Sequence, residues 1–113
     1  MKDFNGTLLY KDKEYTLVFN LNVMAEIQHK YGSLDKWGEL TDGAEPDASA
    51  VIFGFMCMMN EGIDMANDNR SEKEPLLTEK QVGRIITEVG FQKSSEIMNQ
   101  TVIDSTKSEE KNS

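Results

Sequence analysis

The chain has 113 residues, of which 38% are hydrophobic and 28% are charged, with only two prolines. This composition is typical of one globular domain with one hydrophobic core rather than of a disordered chain. The net charge is −8, from 20 acidic and 12 basic residues. Nucleic-acid binding draws most of its affinity from neutralised phosphates, so this charge argues against DNA or RNA contact and favours a protein partner.

Two short β-prone runs begin the chain, at residues 7–10 and 15–19, and the polar residues 11–14 lie between them. This arrangement predicts a β-hairpin. Alternation in the second strand places Tyr15, Leu17 and Phe19 on the predicted core face and Thr16 and Val18 on the other. A hairpin alone is marginal in water, so its core face is expected to pack on helices.

The first helix is predicted directly after the hairpin. Either Asn20 or Asn22 can act as its N-cap, and Gly32 supplies a residue that ends it. Four apolar residues recur at helical spacing and predict its core face: Leu21, Met24, Ile27 and Tyr31.

A short second helix is predicted at residues 34–40, capped by Ser33 and followed by a polar loop at residues 41–47. A long helix then follows from about residue 48 to residue 60 and stops near Gly62. Nearly every residue from 51 to 59 is apolar, so this helix is expected at the centre of the core or of an interface. Residues 63–75 offer almost nothing to bury and predict a mobile surface loop.

Thr78 and Gln81 have the spacing of a capping box, and Val82, Ile85, Ile86 and Val89 follow at amphipathic helical spacing. A weaker helical stripe runs on to about residue 103, and no apolar residue follows Asp104. We therefore predict one globular domain at residues 1–104 and a disordered polar tail at residues 105–113. The predicted fold class is α+β: a mainly α-helical domain with a short N-terminal β-hairpin packed on three to four helices.

The residues that usually carry chemistry are few. Cys57 is the only cysteine, so the chain forms no internal disulfide, and its apolar surroundings favour a buried side chain over a reactive thiol. His29 is the only histidine and is expected to pair with Glu26 on the solvent side of the first helix. Residues 64–69 are acidic but lack the ligand spacing of a calcium loop. We therefore expect no enzyme activity, no metal and no cofactor.

The location of the protein is predicted from its apolar segments. The N-terminus lacks the apolar segment of a signal peptide. The apolar run around Phe53 is about a dozen residues long, short of the roughly 20 needed to cross a bilayer. These features predict a cytoplasmic protein without membrane contact.

Three N-terminal motifs resemble a known family. Residues 11–15 read Lys-Asp-Lys-Glu-Tyr, residues 19–27 read Phe-Asn-Leu-Asn-Val-Met-Ala-Glu-Ile, and residues 31–34 read Tyr-Gly-Ser-Leu. The pattern resembles the tail assembly chaperones of tailed phages and prophages, closely over the first third of the chain and in layout beyond it. The resemblance implies a chaperone that keeps the tape measure protein soluble in the host cytoplasm and is not part of the mature virion. The tail tube protein and a second copy of the chain are the further partners that it implies.

The methionines give the one positive indication of a binding surface. Met56, Met58 and Met59 lie beside Phe53 and Phe55 and either fill the core or form an adaptable apolar groove. The predicted partner surface consists of apolar residues at helical spacing: Met24, Tyr31, Trp37, Phe55, Met56, Met59, Ile85 and Val89.

Two other functions fit the same sequence. One is a bacterial protein-interaction adaptor of unrelated origin. The other is a small enzyme or small-ligand-binding domain, which needs a constellation of polar residues that the sequence does not show. An acidic cluster, Glu39, Asp42, Glu45 and Asp47, is expected to be either a solvated face or a contact for a basic partner segment.

Overall fold

The computed structural model describes the backbone of residues 5–112 and the side chains of residues 6–106. The elements follow in the order β1 (Asn5–Tyr10), β2 (Lys13–Val18), α1 (Leu21–Tyr31), α2 (Leu34–Thr41), α3 (Ala48–Asn67), α4 (Glu79–Val89) and α5 (Phe91–Asn112). The α+β class, with an N-terminal hairpin packed on helices in one domain, is confirmed. Five helices are present within residues 5–112, against the three to four predicted.

The hairpin is antiparallel, with Gly6 opposite Leu17 and Leu8 opposite Tyr15. Its turn consists of two residues, Lys11 and Asp12, whose φ angles are +49° and +64°. Two-residue turns with left-handed conformations at both positions match the twist of the strands. The predicted four-residue connection is therefore too long, because Lys13 and Glu14 already belong to β2.

The predicted core face of β2 is confirmed for Leu17 and Phe19, which are buried, whereas Tyr15 is half-buried. Val18 was assigned to the opposite face but is also buried. Leu17 and Val18 are thus both covered, and the strand contacts both α3 and α5.

Helix α3 lies at the centre of the core, where Ala50, Val51, Phe55, Met58 and Met59 are fully buried. It does not end near Gly62 but continues to Asn67. A Cβ atom at Gly62 would lie 2.5 Å from the carbonyl oxygen of Thr16, so glycine allows β2 to pack directly against this helix. The glycine thus marks a close contact and not a helix end.

The core face of α1 is rotated from the predicted one. Val23 and Ile27 are fully buried, whereas Leu21 is 69% exposed. Asn20 is the N-cap, because its side chain accepts a hydrogen bond from the backbone N–H of Val23. The helix ends at Gly32, where φ is +91°.

Helix α5 runs past Asp104, where the globular domain was predicted to end, and continues to Asn112 within the described residues. Each added helical residue makes a further backbone hydrogen bond, so a helix that has formed can extend without apolar side chains to bury. Ser105 also ties the segment to the residue that follows β2, since its Oγ donates to the carbonyl oxygen of Phe19 at 3.3 Å. None of the helices in residues 5–112 has the length and apolar character required to cross a membrane.

Candidate protein-binding groove

The single cysteine, Cys57, and the single histidine, His29, share no hydrogen bond within the described residues. The Cys57 thiol is buried and donates a hydrogen bond to Oε2 of Glu26 at 3.3 Å. Burial, and then the Glu26 carboxylate, raise the pKa of Cys57 well above its ordinary value, so the thiol stays protonated. His29 is exposed, and the predicted pairing with Glu26 is replaced by the contact with Cys57. Within the described residues, no three His, Cys, Asp or Glu side chains are grouped as a metal site.

The predicted partner surface does not form one surface. Trp37, Phe55, Met59 and Ile85 are at most 4% exposed and belong to the core. The other four residues are half-buried against that core and lie on three different helices: Met24 and Tyr31 on α1, Met56 on α3, and Val89 on α4. Hydropathy identified these side chains as apolar but could not separate the inside of the domain from an interface. Methionine fills the core at Met58 and Met59.

A groove between α2 and α5 is the surface best suited to a partner. One wall is α2 with the loop that follows it, and the other wall is α5. Two depressions of about 550 Å³ and 250 Å³ meet there and share Thr41, Asp42 and Asn99. We define the α2–α5 groove by Thr41, Asp42, Phe91, Ser95, Asn99 and Ile103.

The first wall is held in place by the residues around Trp37. Ser33 caps α2 by accepting a hydrogen bond from the N–H of Lys36. The indole Nε1 of Trp37 donates to the carbonyl oxygen of Ala50 at 3.0 Å, which fixes α2 against α3. The loop is closed where the N–H of Asp47 donates to the carbonyl oxygen of Leu40 at 2.7 Å. These bonds give the groove a preformed wall.

The second wall is one face of α5. Phe91, Ser95, Asn99 and Ile103 are spaced four residues apart and therefore lie along one side of the helix. The stripe is about 18 Å long at 1.5 Å per residue. Phe91 is 37% exposed and Ile103 is 46% exposed, so the stripe has an apolar residue at each end.

Ser95 lies between these two residues and is only 6% exposed. Its hydroxyl has no hydrogen-bond partner in the part of the chain that the structure describes. Buried polar groups usually have such a partner, and an unpaired one carries a desolvation cost. Ser95 thus places an unsatisfied, buried hydroxyl beneath the middle of the groove lining.

The groove is surrounded by acidic side chains. Asp42, Glu45 and Glu96 line it, and Asp35 and Glu39 line a neighbouring depression that shares Asp42. Among the described residues that line these depressions there is no lysine, arginine or histidine. The acids also form no ion pair with the described residues. The rim is therefore available to a cationic partner.

The structure brings together three of the four acids in the predicted cluster, Glu39, Asp42 and Glu45. Asp47 has a different role, because its carboxylate caps α3 and accepts hydrogen bonds from Ser49 Oγ and from the N–H of Ala50. The Ser49 bond and then the Ala50 bond lower the pKa of Asp47. The contribution of α5 to the groove was missed. The spacing of Phe91, Ser95 and Ile103 was its only sequence signal.

No family model matches the chain, and no curated protein or solved structure is significantly similar to it. The resemblance to tail assembly chaperones therefore depends on the N-terminal motifs alone and stays a prediction. The functional proposal is drawn from those motifs together with the geometry of the α2–α5 groove.

Proposed function

We propose that this protein is a tail assembly chaperone of a tailed phage or prophage. It binds the tape measure protein in the host cytoplasm and keeps it soluble while the tail is built. The observation that carries the proposal is the α2–α5 groove, which offers exposed apolar side chains beside an unpaired acidic rim on a preformed wall. The N-terminal motifs support the choice of family.

A groove of this kind suits a chaperone for a helical client. Amphipathic helices bind by laying their apolar face into an apolar groove, and the stripe between Phe91 and Ile103 has the length of about three helical turns. The net charge of −8 keeps a complex with an aggregation-prone client dispersed by repulsion between like charges. The groove therefore accounts for binding, and the net charge of the chain accounts for solubilisation.

The N-terminal motifs lie in the elements that support this fold. Tyr15 is on β2 and packs against the core, Asn20 caps α1, and Gly32 ends it. The side chains of Asn20 and Asn22 also both donate to Oε2 of Glu61 on α3, at 2.6 Å and 3.0 Å. The motif asparagines thus join α1 to the central helix, so these motif residues help to hold this fold together.

The test is co-expression with the tape measure protein encoded in the same tail gene cluster. We expect the soluble fraction of the tape measure protein to rise several-fold, and the two proteins to elute together in size-exclusion chromatography. Co-expression with an unrelated acidic helical domain of similar size is the control for charge and expression load. No gain over that control would overturn the proposal, and the bacterial adaptor would then be the better assignment.

A further inference from the structure

We propose that the α2–α5 groove binds a basic amphipathic helix of the partner, with an apolar central stripe, a flank of lysine or arginine, and a polar residue at the middle. In naming the tape measure protein as the source of this helix, the inference rests on the proposed function. The chemistry of the occupant is argued separately, from the shape, charge and unsatisfied hydroxyl of the groove.

The apolar ends of the groove set the length of the occupant. Phe91 and Ile103 are about 18 Å apart along α5, which corresponds to about 12 residues of a second helix lying beside it. Both are more than a third exposed, so a partner would remove apolar surface from water at both ends. An apolar residue near each end of the bound helix meets this requirement.

The charge of the rim determines which residues flank the apolar stripe of the bound helix. Asp42, Glu45 and Glu96 line the groove, and no basic side chain lines it within the described residues. An acidic helix placed there would be repelled by these carboxylates, whereas lysine or arginine would find unpaired partners. Because these side chains are exposed to solvent, added salt should weaken the attraction.

The hydroxyl of Ser95 determines the type of residue at the centre of the bound helix. Ser95 is buried to more than nine-tenths and lines the groove, and its Oγ, which has almost no accessible surface, has no hydrogen-bond partner among the described residues. Rotation of the Ser95 side chain about Cα–Cβ would bring the hydroxyl to the groove, where a polar side chain at the centre of the bound helix, such as glutamine, would pair with it. A wholly apolar helix would leave the hydroxyl unsatisfied, so this residue favours one class of helix over another.

The first measurement uses the full chain and three fluorescent synthetic helices of about 12 residues. The reference peptide has a leucine stripe, lysine flanks and a central glutamine. The second peptide replaces each lysine by glutamate, and the third replaces the central glutamine by leucine. We expect fluorescence anisotropy to show at least about tenfold weaker binding for the glutamate peptide. Affinity for the lysine peptide should fall when the NaCl concentration is raised from about 50 mM to about 500 mM. Equal binding of the lysine and glutamate peptides, or no binding of either, overturns the inference.

The second measurement reverses the charge of the rim. Glu45 and Glu96 line the groove, and Glu96 is exposed, so the double variant Glu45→Lys/Glu96→Lys should keep the fold. We expect it to lose affinity for the lysine peptide and gain affinity for the glutamate peptide. The control is Glu14→Lys/Glu72→Lys, which changes the net charge equally at exposed sites that do not line the groove. Circular dichroism checks both variants, and an equal effect of the two would show nonspecific attraction and overturn the groove assignment.

The third measurement concerns Ser95. Ser95→Ala should bind the glutamine-centred peptide about threefold more weakly, because the added hydrogen bond is lost, and should bind the leucine-centred peptide at least as well. An equal loss of affinity for both peptides would mean that the partner forms no hydrogen bond with the hydroxyl, and would overturn this part of the inference.

The two proposals can fail separately. If Glu45→Lys/Glu96→Lys still solubilises the tape measure protein on co-expression, the chaperone function stands and the groove is not its binding site. If the lysine peptide binds in the groove but the tape measure protein is not solubilised, the groove assignment stands and the chaperone function is wrong.

Discussion

Asn67 forms two hydrogen bonds with the backbone of Glu74: its Nδ2 donates to the carbonyl oxygen and its Oδ1 accepts from the N–H, both at 2.8 Å. Asn60 pairs with Leu77 in the same way, at 2.9 Å and 2.7 Å. Seven residues of helix and three residues of extended chain both span about 10 Å, so the two pairs fit one straight segment. The two asparagines therefore attach residues 74–77 to α3.

Asn67→Ala should release this segment. The change removes both hydrogen bonds and leaves backbone groups of Glu74 unpaired, so we expect the free energy of unfolding to fall by about 1–3 kcal/mol. Trypsin should also cleave the native protein faster at Arg70 and Lys73, which lie in the freed loop. Urea unfolding and limited proteolysis measure the two effects.

The matched control is Asn69→Ala, at an exposed position two residues away whose side chain makes no hydrogen bond to the described residues. It should change neither stability nor cleavage. Equal cleavage of the two variants would contradict the role of Asn67.

Residues 63–75 show what composition alone does not predict. Residues 63–75 are polar, so composition predicted a mobile segment without partners. Hydropathy measures how much apolar surface a segment can bury. It does not reveal side-chain amides that form hydrogen bonds with the backbone of a different segment. Ile63 was the visible exception, and it is buried because α3 extends past Gly62.

The contact between Trp37 and Gly54 should be sensitive to a single methyl group. A Cβ atom at Gly54 would lie 3.0 Å from Cε2 of the indole and 3.1 Å from Sδ of Met98, and closer still to Cζ2 of the indole. Because Trp37 also bonds to Ala50, it cannot move freely away. We expect Gly54→Ala to lower the free energy of unfolding by about 1–3 kcal/mol despite the better helix propensity of alanine. Urea unfolding followed by the fluorescence of Trp37, the only tryptophan, measures this.

Gly38→Ala is the control on the same pair of helices. A Cβ atom there meets nothing within 4 Å, so alanine should stabilise α2 by about 0.5–1 kcal/mol. A loss of stability in this variant similar to that of Gly54→Ala would show that close packing on Trp37 is not the cause.

The capping box at α4 is a second local stabilising feature. The N–H of Gln81 donates to Thr78 Oγ1 at 3.2 Å, and the N–H of Thr78 donates to Gln81 Oε1 at 2.9 Å, as the spacing predicted. Thr78→Ala removes the cap and should cost about 1 kcal/mol of stability. Thr87→Ala on the same helix is the control, because the Thr87 hydroxyl only donates back to the carbonyl oxygen of Gly83 and alanine has the higher helix propensity. Thermal unfolding should therefore show a lower midpoint for the first variant only.

The candidate site was less predictable than the fold. Caps and turns such as Thr78 and Gly32 are set by near neighbours in the chain, so spacing reveals them. The groove joins α2 to α5, which lie some fifty residues apart, and depends on which face of each helix the core leaves uncovered. Leu21 illustrates the difficulty, because it has the right spacing for the core and is nevertheless exposed.

Cys57 should respond to pH and to thiol reagents as a buried, protonated group. Its pKa is raised in the folded state by burial and by Glu26, whereas the unfolded chain titrates near the ordinary value of 9.0. A raised folded-state pKa means that the stabilising contribution is fully present below pH 9.0 and is lost as the pH rises above it. We expect Cys57→Ala to be less stable than the unsubstituted protein at neutral pH. Between about pH 8 and pH 11, however, its stability should fall less steeply, and the two slopes should differ by at most about 1.4 kcal/mol per pH unit. The raised pKa of Tyr31 acts in the same direction but is common to both proteins. Urea unfolding across this range gives the two slopes, and parallel slopes would contradict the burial of the thiol.

The rate of reaction of Cys57 with a disulfide reagent is a second measure of its burial. We expect this rate to be at least about a hundredfold lower in the native state than in urea, since each 1.4 kcal/mol of opening free energy is a factor of ten.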